Sequence, residues 1–324
     1  MKILVTGGAG YIGSHFVKSA SAIGHNVMVF DNFSRGHRES IPSGVEFVEV
    51  NLLDHKNLLD SLKKFEIDAI VHFAAFAYVG ESVEKPEMYY NNNVVGSFNL
   101  INTANECGIK KIVFSSTCSV YGNPEFVPIS EEAKIAPINP YARTKYMIEN
   151  ILHDFDKAHG MKSIALRYFN AAGADPDGAI GESHNPETHL IPIILQAALG
   201  VRENVFIFGD DYDTPDGTCI RDYIHVNDLA DAHIKALKLL EETNSSDFIN
   251  LGTGDGNSVK EVLSVCEEVT GKKINYEIVG RREGDPARLV ADNKKAKEVL
   301  GWTPKYNLSE IITHAWNWHK NQKY

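Results

Sequence analysis
An apolar run, KILVT (Lys2–Thr6), leads directly into TGGAGYIG, where Gly7, Gly10 and Gly13 recur at every third position. A buried strand that ends in such a turn and opens a helix, here from Tyr11 to about Ile23, admits few architectures. Glycine permits the tight turn, lets the backbone approach a pyrophosphate, and lets the helix pack closely on the strand. The helix start then aims free N–H groups and its positive dipole end at a phosphate. The next apolar run, NVMVFD, ends at Asp31, about 20 residues past the last glycine, where an acid accepts hydrogen bonds from an adenosine ribose. Asp31 would repel a 2′-phosphate, so NAD is expected over NADP, with Asn32 and Ser34 assisting. Taken alone, the glycines also fit a structural turn, and Asp31 a turn residue.

The same texture continues to about Asn170. VEFVEV (Val45–Val50), AIVHFAA, KIVFSS and KSIALRYF (Lys162–Phe169) are apolar without in/out alternation, and helical segments such as Glu87–Cys107 and Tyr141–Lys157 separate them. Such strands are buried on both faces, and the β-α order makes them parallel. The expected fold is therefore α/β, a Rossmann-type doubly wound parallel sheet, with residues 1–170 binding NAD and carrying the catalytic groups. Beyond it, Ala171–Pro186 reads as loop, Asn227 as the N-cap of DLADAHIKALKLLEE, and Ser258 with Glu261 as a capping box. Residues 171–324 are expected to form mainly a smaller mixed α/β substrate-binding lobe, interleaved with the first.

Charge and cysteines exclude other classes. The net charge of −11 argues against nucleic acid as the main partner, because phosphate chains need a basic face. MKILVTGGAG is too short for a signal-peptide core, and AIVHFAAFAYVG is too short to cross a bilayer. Cys107, Cys118, Cys219 and Cys266 form no C-x-x-C pair. A cytoplasmic protein with reduced thiols, no membrane partner and no bound metal is expected.

Two further stretches carry chemistry. SSTCSVYG (Ser115–Gly122) crowds hydroxyls at the end of a buried strand. INPYARTKYMIEN places Tyr141 and Lys145 on one face of a helix begun by Asn139 and Pro140. A lysine cation there favours ionisation of the phenol, and a nicotinamide cation would add to the effect, giving a general base for an alcohol under oxidation. The pair alone also fits a solvated helix surface.

Together with HFAA, YYNNNVVGS and RYFNAAGA, these motifs resemble the extended short-chain dehydrogenase/reductase superfamily. IFGDDYDTPDGTCIRDYIHVNDLADAH (Ile207–His233) and RREGDPA narrow the resemblance to the family of UDP-glucose (UDP-galactose) 4-epimerases, over essentially the whole chain. The resemblance implies reversible oxidation at C4 of a UDP-hexose by tightly held NAD, rotation of a 4-keto sugar, and hydride return, in a homodimer. It assigns Thr117, Tyr141 and Lys145 as the catalytic trio, with threonine where many relatives carry serine. The cofactor residues it implies are the three glycines, Tyr11, Ile12, Asp31, Asn32, Ser34, Asn51, Leu52, Phe73, Ala74, Ala75, Asn92, Ser115, Tyr141, Lys145, Tyr168 and Phe169. For the UDP-sugar it implies Thr117, Tyr141, Asn170, His189, Leu190, Phe206, Ile207, Phe208, Arg221, Tyr223, Arg282, Asp285 and Leu289. Of these, Arg221 and Arg282 suit a diphosphate and Phe208 suits uracil.

Departures from the family pattern are informative. Asn51 replaces an aspartate, Ala77 a lysine that tethers cofactor in some members, and His189 an asparagine. Leu289 stands where members restricted to UDP-glucose and UDP-galactose have a large aromatic gate, so acceptance of N-acetylated UDP-hexosamines is expected. A 4,6-dehydratase would need Asp-Glu after the catalytic hydroxyl, where this chain has Cys118 and Ser119. A UDP-glucuronate 4-epimerase would need a carboxylate-binding pocket, which is not identifiable in this sequence, and a non-catalytic NAD sensor would not need the trio. His72, His225 and His233 are expected to be structural, since no carboxylate or cysteine cluster accompanies them.

Overall fold
Strands buried on both faces leave their side chains to alternate between two cores, and this alternation organises the molecule. The computed structural model describes residues 1–282 and 285–324, so Glu283 and Gly284 of the RREGDPA stretch lie outside the described residues. Strands β1 (Lys2–Thr6), β2 (Asn26–Asp31), β3 (Glu46–Glu49), β4 (Ala69–His72), β5 (Lys111–Thr117) and β6 (Lys162–Tyr168) form one parallel sheet with the strand Asp247–Leu251. The order is β3-β2-β1-β4-β5-β6, with Asp247–Leu251 beside β6. The strand order reverses between β1 and β4, which stay parallel, and a crevice opens there at the strand C-termini.

Ile3 and Val5 of β1 face one core, with Phe16 and Val17 of helix α1 (Tyr11–Ala22) and Leu229 and Ala236 of the helix Val226–Thr243. Leu4 faces the other, with Ile70, Phe114, Leu100, Ile101 and Ile148. Each such aliphatic side chain contributes about 1.5–3 kcal/mol by burial. Three elements of the second half thus enter this layer: the helix Val226–Thr243 covers one face, the helix Lys294–Leu300 packs into the same core, and Asp247–Leu251 extends the sheet. The remaining helices Leu190–Ala198, Val259–Thr270 and Leu308–Lys320 surround a separate core of Ile191, Leu195, Val262, Ile311 and Trp316. Among the described residues, no helix is long and apolar enough to cross a membrane.

Three local details differ from the sequence reading. The helix expected at Glu87–Cys107 runs as Pro86–Tyr89, a π-helical stretch Tyr90–Val95, and Gly96–Glu106. Within the π stretch, Asn93 accepts from the Phe76 N–H at 2.8 Å and donates to the Thr144 hydroxyl at 3.1 Å, so it links the segment after β4 to the helix Pro140–His159. The N-cap of Val226–Thr243 is His225, not Asn227: its Nδ1 accepts the Asn227 N–H at 3.0 Å, a role open to it because burial holds the imidazole neutral, down to about 3. Asn170–Ala172, inside the expected loop, pairs in parallel with Tyr223–His225. The capping box of Ser258 and Glu261 is present.

A buried ion pair fastens the sheet to the helix Pro140–His159. Arg167 of β6 donates to Glu149 through Nε at 2.9 Å and through its terminal nitrogen at 2.5 Å. Arg167→Leu should lower apparent stability by about 3–5 kcal/mol, because it leaves a carboxylate buried without its cation. Chemical denaturation of both proteins checks this, and a loss below about 1 kcal/mol would mean the pair is dispensable.

Candidate active site
The crevice begins at the glycine turn. Gly7 has φ +73°, and a Cβ there would lie 2.5 Å from the Ala74 nitrogen. A Cβ on Gly13 would fall on the Gly7 carbonyl oxygen, so helix and turn meet as closely as the sequence requires. Gly10 differs: a Cβ there meets only the Gly7 carbonyl, 3.3 Å away, and the room left lies in the crevice. The first turn of α1 has no side-chain cap, which leaves its N–H groups free for an anion. An anionic dinucleotide fits these features.

Asp31 is buried and accepts from the Ala9 N–H at 3.0 Å and the Phe33 N–H at 2.8 Å. It therefore braces the glycine turn against the end of β2. Burial raises its pKa, and the backbone donors oppose the shift. The crevice is lined by Gly7, Gly10, Asp31, Asn32, Ser34, Asn51, Leu52, Phe73, Ala74, Ala75 and Asn92, all expected from the sequence. Phe30, Arg35, Gly36, Val50 and Phe76 also line it and were not expected. A cation four residues past Asp31 was the available signal for Arg35. Its guanidinium is paired with both Glu81 oxygens, at 2.8 and 3.0 Å. Tyr11 and Ile12 turn their side chains elsewhere: the Tyr11 hydroxyl donates to the Gly173 carbonyl at 2.6 Å, and Ile12 packs on the core.

The three expected catalytic residues converge at the end of β5. Thr117 closes the strand, and its hydroxyl accepts the Ser119 N–H at 3.2 Å. Asn139 caps the helix Pro140–His159, accepting from Ala142 N–H at 2.8 Å, and so directs Tyr141 and Lys145 inward. Lys145 is buried, donates to the Ser115 carbonyl at 2.7 Å, and stands 6.0 Å from the centre of the Tyr141 ring. Burial raises the Tyr141 pKa, Tyr168 adds to the rise, and a hydrogen bond with Thr117 opposes it. Burial also lowers Lys145 to about 7, with Glu149 opposing. In the protein alone, desolvation thus outweighs the ionising effect expected of the lysine on the phenol.

Ser115 shares a hydrogen bond with the Tyr168 hydroxyl, and Ser116 donates to Glu149 at 2.6 Å. Cys118 packs with Val120, Tyr121 and Phe169, and burial pushes its thiol up to about 12.

The second lobe supplies the rest. Arg221 is paired with Asp285, and the Arg282 guanidinium lies 3.9 Å from the Phe208 ring centre. Arg282 and Asp285 line a cavity of about 560 Å³ with Asn123, Val127, Arg281 and Arg288. Leu289 is half-buried against the Cys118, Tyr121 and Phe169 cluster, and Phe206 and Asn170 are exposed. Ile207 and Tyr223 are buried in the lobe's core. His189 and Leu190 begin the helix Leu190–Ala198.

His189 Nδ1 stands 2.8 Å from Glu182 and 2.9 Å from Glu187. Burial alone would lower its pKa, but the two carboxylates raise it to about 10. Glu182 and His184 were read only as loop, and Glu187 was not singled out. The E-x-H-x-x-E-x-H spacing was the signal for them. Of the histidines expected to be structural, His72 lies 2.7 Å from the Thr6 and Ser97 hydroxyls, His225 stacks on Tyr306, and His233 contacts the Leu229 carbonyl.

A model of the NAD dependent epimerase/dehydratase family matches residues 3–252. The chain is 52% identical over 317 residues to a UDP-glucose 4-epimerase of Rhizobium leguminosarum bv. trifolii, covering 98% of this chain and 97% of that protein. It is similar in structure to UDP-glucose 4-epimerase from Brucella ovis in complex with NAD, with TM-score 0.95, 46% identity, and 97% of each chain covered. The UDP-Glc/GlcNAc 4-epimerase of Campylobacter jejuni matches with TM-score 0.87 and 43% identity, covering 98% of this chain and 99% of that one.

One prediction follows from the buried lysine. A folded pKa of about 7, below the ordinary 10.5, means the folded chain releases this proton first, so Lys145's contribution to stability rises between those pH values. In cofactor-free protein, NMR of isotope-labelled lysines should show one amine titrating near 7 that disappears in Lys145→Met. Titration of every lysine near 10 would contradict the burial argument.

Proposed function
The chain belongs to the NAD dependent epimerase/dehydratase family, alongside its UDP-glucose 4-epimerases, and on that premise we propose how its residues interconvert UDP-glucose and UDP-galactose. The observation that carries the proposal is the convergence of Thr117, Tyr141 and Lys145 beside the crevice that Gly7, Gly10 and Asp31 open. When bound, NAD supplies the hydride acceptor and donor for C4, so the net redox change is zero. The free N–H groups of α1 hold the pyrophosphate, and Asp31 accepts from the adenosine ribose. Arg35 does not add a 2′-phosphate site, because Glu81 neutralises it, which supports NAD over NADP.

Tyr141 takes the proton from the sugar O4 and later returns it, while Thr117 hydrogen-bonds O4 and the phenol. Lys145 holds the nicotinamide ribose. Because burial keeps the phenol protonated in the free protein, Tyr141 becomes a base only when positive charge enters the pocket with the cofactor. Arg282 and Arg221 bind the diphosphate, and Phe208 lies against uracil. A dehydratase reading finds no acid after the hydroxyl, since Cys118 is a packed thiol there.

The exposed apolar residues Val95, Phe98 and Met147, on helices of the nucleotide-binding half, support a homodimer. Free cysteines support a reducing, cytoplasmic location.

Tyr141→Phe should lower kcat by about 100- to 10,000-fold while NAD stays bound, as measured by interconversion assay and nucleotide release. Survival of turnover would remove Tyr141 as the base. A second reading rests on Leu289, which is too small to wall off the sugar beside the reaction centre. The chain should turn over UDP-GlcNAc as well as UDP-glucose, and Leu289→Tyr should lose the first and keep the second. Absence of wild-type activity on UDP-GlcNAc would end that reading.

A further inference from the structure
Glu182, His184, Glu187 and His189 each offer a ligand atom, and these atoms all lie within 4.8 Å of one another. We propose that they form a divalent-metal site, suited to Zn²⁺, that staples this loop between the two halves of the protein.

The donor set is two imidazole nitrogens and two carboxylate oxygens, a combination Zn²⁺ takes as a tetrahedron. In such a tetrahedron, ligand atoms lie about 3.3–3.6 Å apart, from bond lengths of about 2.0–2.2 Å. His189 Nδ1 lies 2.8 Å from Glu182 Oε1 and 2.9 Å from Glu187 Oε1, and His184 Nδ1 lies 3.1 Å from the same Glu182 oxygen and 3.8 Å from Glu187 Oε2. The three separations on single oxygens fall somewhat inside the tetrahedral edge, and the one to the second Glu187 oxygen falls somewhat outside it.

Hydrogen bonding explains the arrangement less well. One N–H on His189 cannot point along two lines at once, and both imidazoles converge on a single oxygen of Glu182. A cation at the centre uses all four lone pairs together. The Glu182 and Glu187 side chains are 4% and 3% exposed, and among the described residues neither is paired with a lysine or arginine, so in the protein alone the histidines are what faces their charge. A divalent ion takes the place of the imidazole proton and cancels both buried charges with the imidazoles neutral.

Supporting contacts fix the ligands, as metal sites require. Glu187 Oε1 accepts the N–H groups of Thr188 and His189 at 2.8 and 2.9 Å, and Trp318 donates to the Glu182 carbonyl at 2.9 Å. The loop also touches the nucleotide-binding half: His37 Nε2 lies 3.0 Å from the Ser183 carbonyl, and the edges of the Tyr11 and Tyr78 rings meet His184. With Nδ1 on the metal, His189 carries its proton on Nε2, a fixed donor at the start of the helix Leu190–Ala198.

The test uses the full chain with its bound NAD, equilibrated with zinc chloride, passed through gel filtration and analysed for metal. One zinc per chain is expected, with an anomalous diffraction peak among the four side chains. His184→Ala and Glu187→Gln should each weaken zinc binding by roughly 100-fold or more without releasing NAD. Chelation should lower the Tm of the unmodified chain by several degrees and leave both variants unmoved. The proposal fails if the unmodified chain retains no zinc, if the peak lies elsewhere, or if both variants keep the metal. Should the variants not fold, the anomalous peak in the unmodified chain decides alone.

Discussion
Glu149 sits where four elements of the reaction centre meet. Its carboxylate accepts from Arg167 on β6 and from Ser116 on β5, one residue before Thr117. It stands four residues after Lys145 on the same helix, and it opposes the burial that lowers the lysine's pKa. Through Arg167 the pair extends to the Tyr121 hydroxyl at 2.9 Å, then to Asn250 at 2.7 Å on the last strand of the sheet. Two charges in a dry interior cost several kcal/mol each to desolvate, and their attraction repays that only with good geometry and every remaining donor satisfied. The arrangement therefore tolerates little play, and the strand end, the turn after it and the catalytic helix are held in one register.

The same dryness shapes the acid–base chemistry. Tyr141 and Lys145 share a pocket from which water is largely excluded, so each charged form is disfavoured in the protein alone. Phenol raised and amine lowered is a resting state with the proton kept on tyrosine. In the proposed mechanism, ionisation then depends on charge brought into the pocket, which ties base strength to cofactor occupancy. A phenol ionised at all times would lack that dependence.

Much of the nucleotide-binding half was legible because its constraints are local. Glycine is required at the turn by close backbone approach, and i, i+4 spacing puts Tyr141 and Lys145 on one face whatever surrounds the helix. What stayed hidden was non-local. Arg35 reads as a cation beside an acid until Glu81, 46 positions later, is seen to neutralise it. His225 becomes a cap only because burial keeps its ring neutral. Ile207 and Tyr223 lie in a specific segment, yet their side chains belong to the lobe's core. The proximity of Glu182, His184, Glu187 and His189 was not legible, because it depends on packing against Trp318, Tyr11 and Tyr78.

By itself the sequence determined the alternation of strand and helix, the phosphate turn, and the residue types of the reaction centre. All follow from backbone sterics and periodicity within a few neighbouring residues. Only the tertiary structure decided the charge states of those residues and the partners of the arginines and buried carboxylates. Desolvation and ion pairing are set by what lies nearby in space, and chain spacing does not encode that.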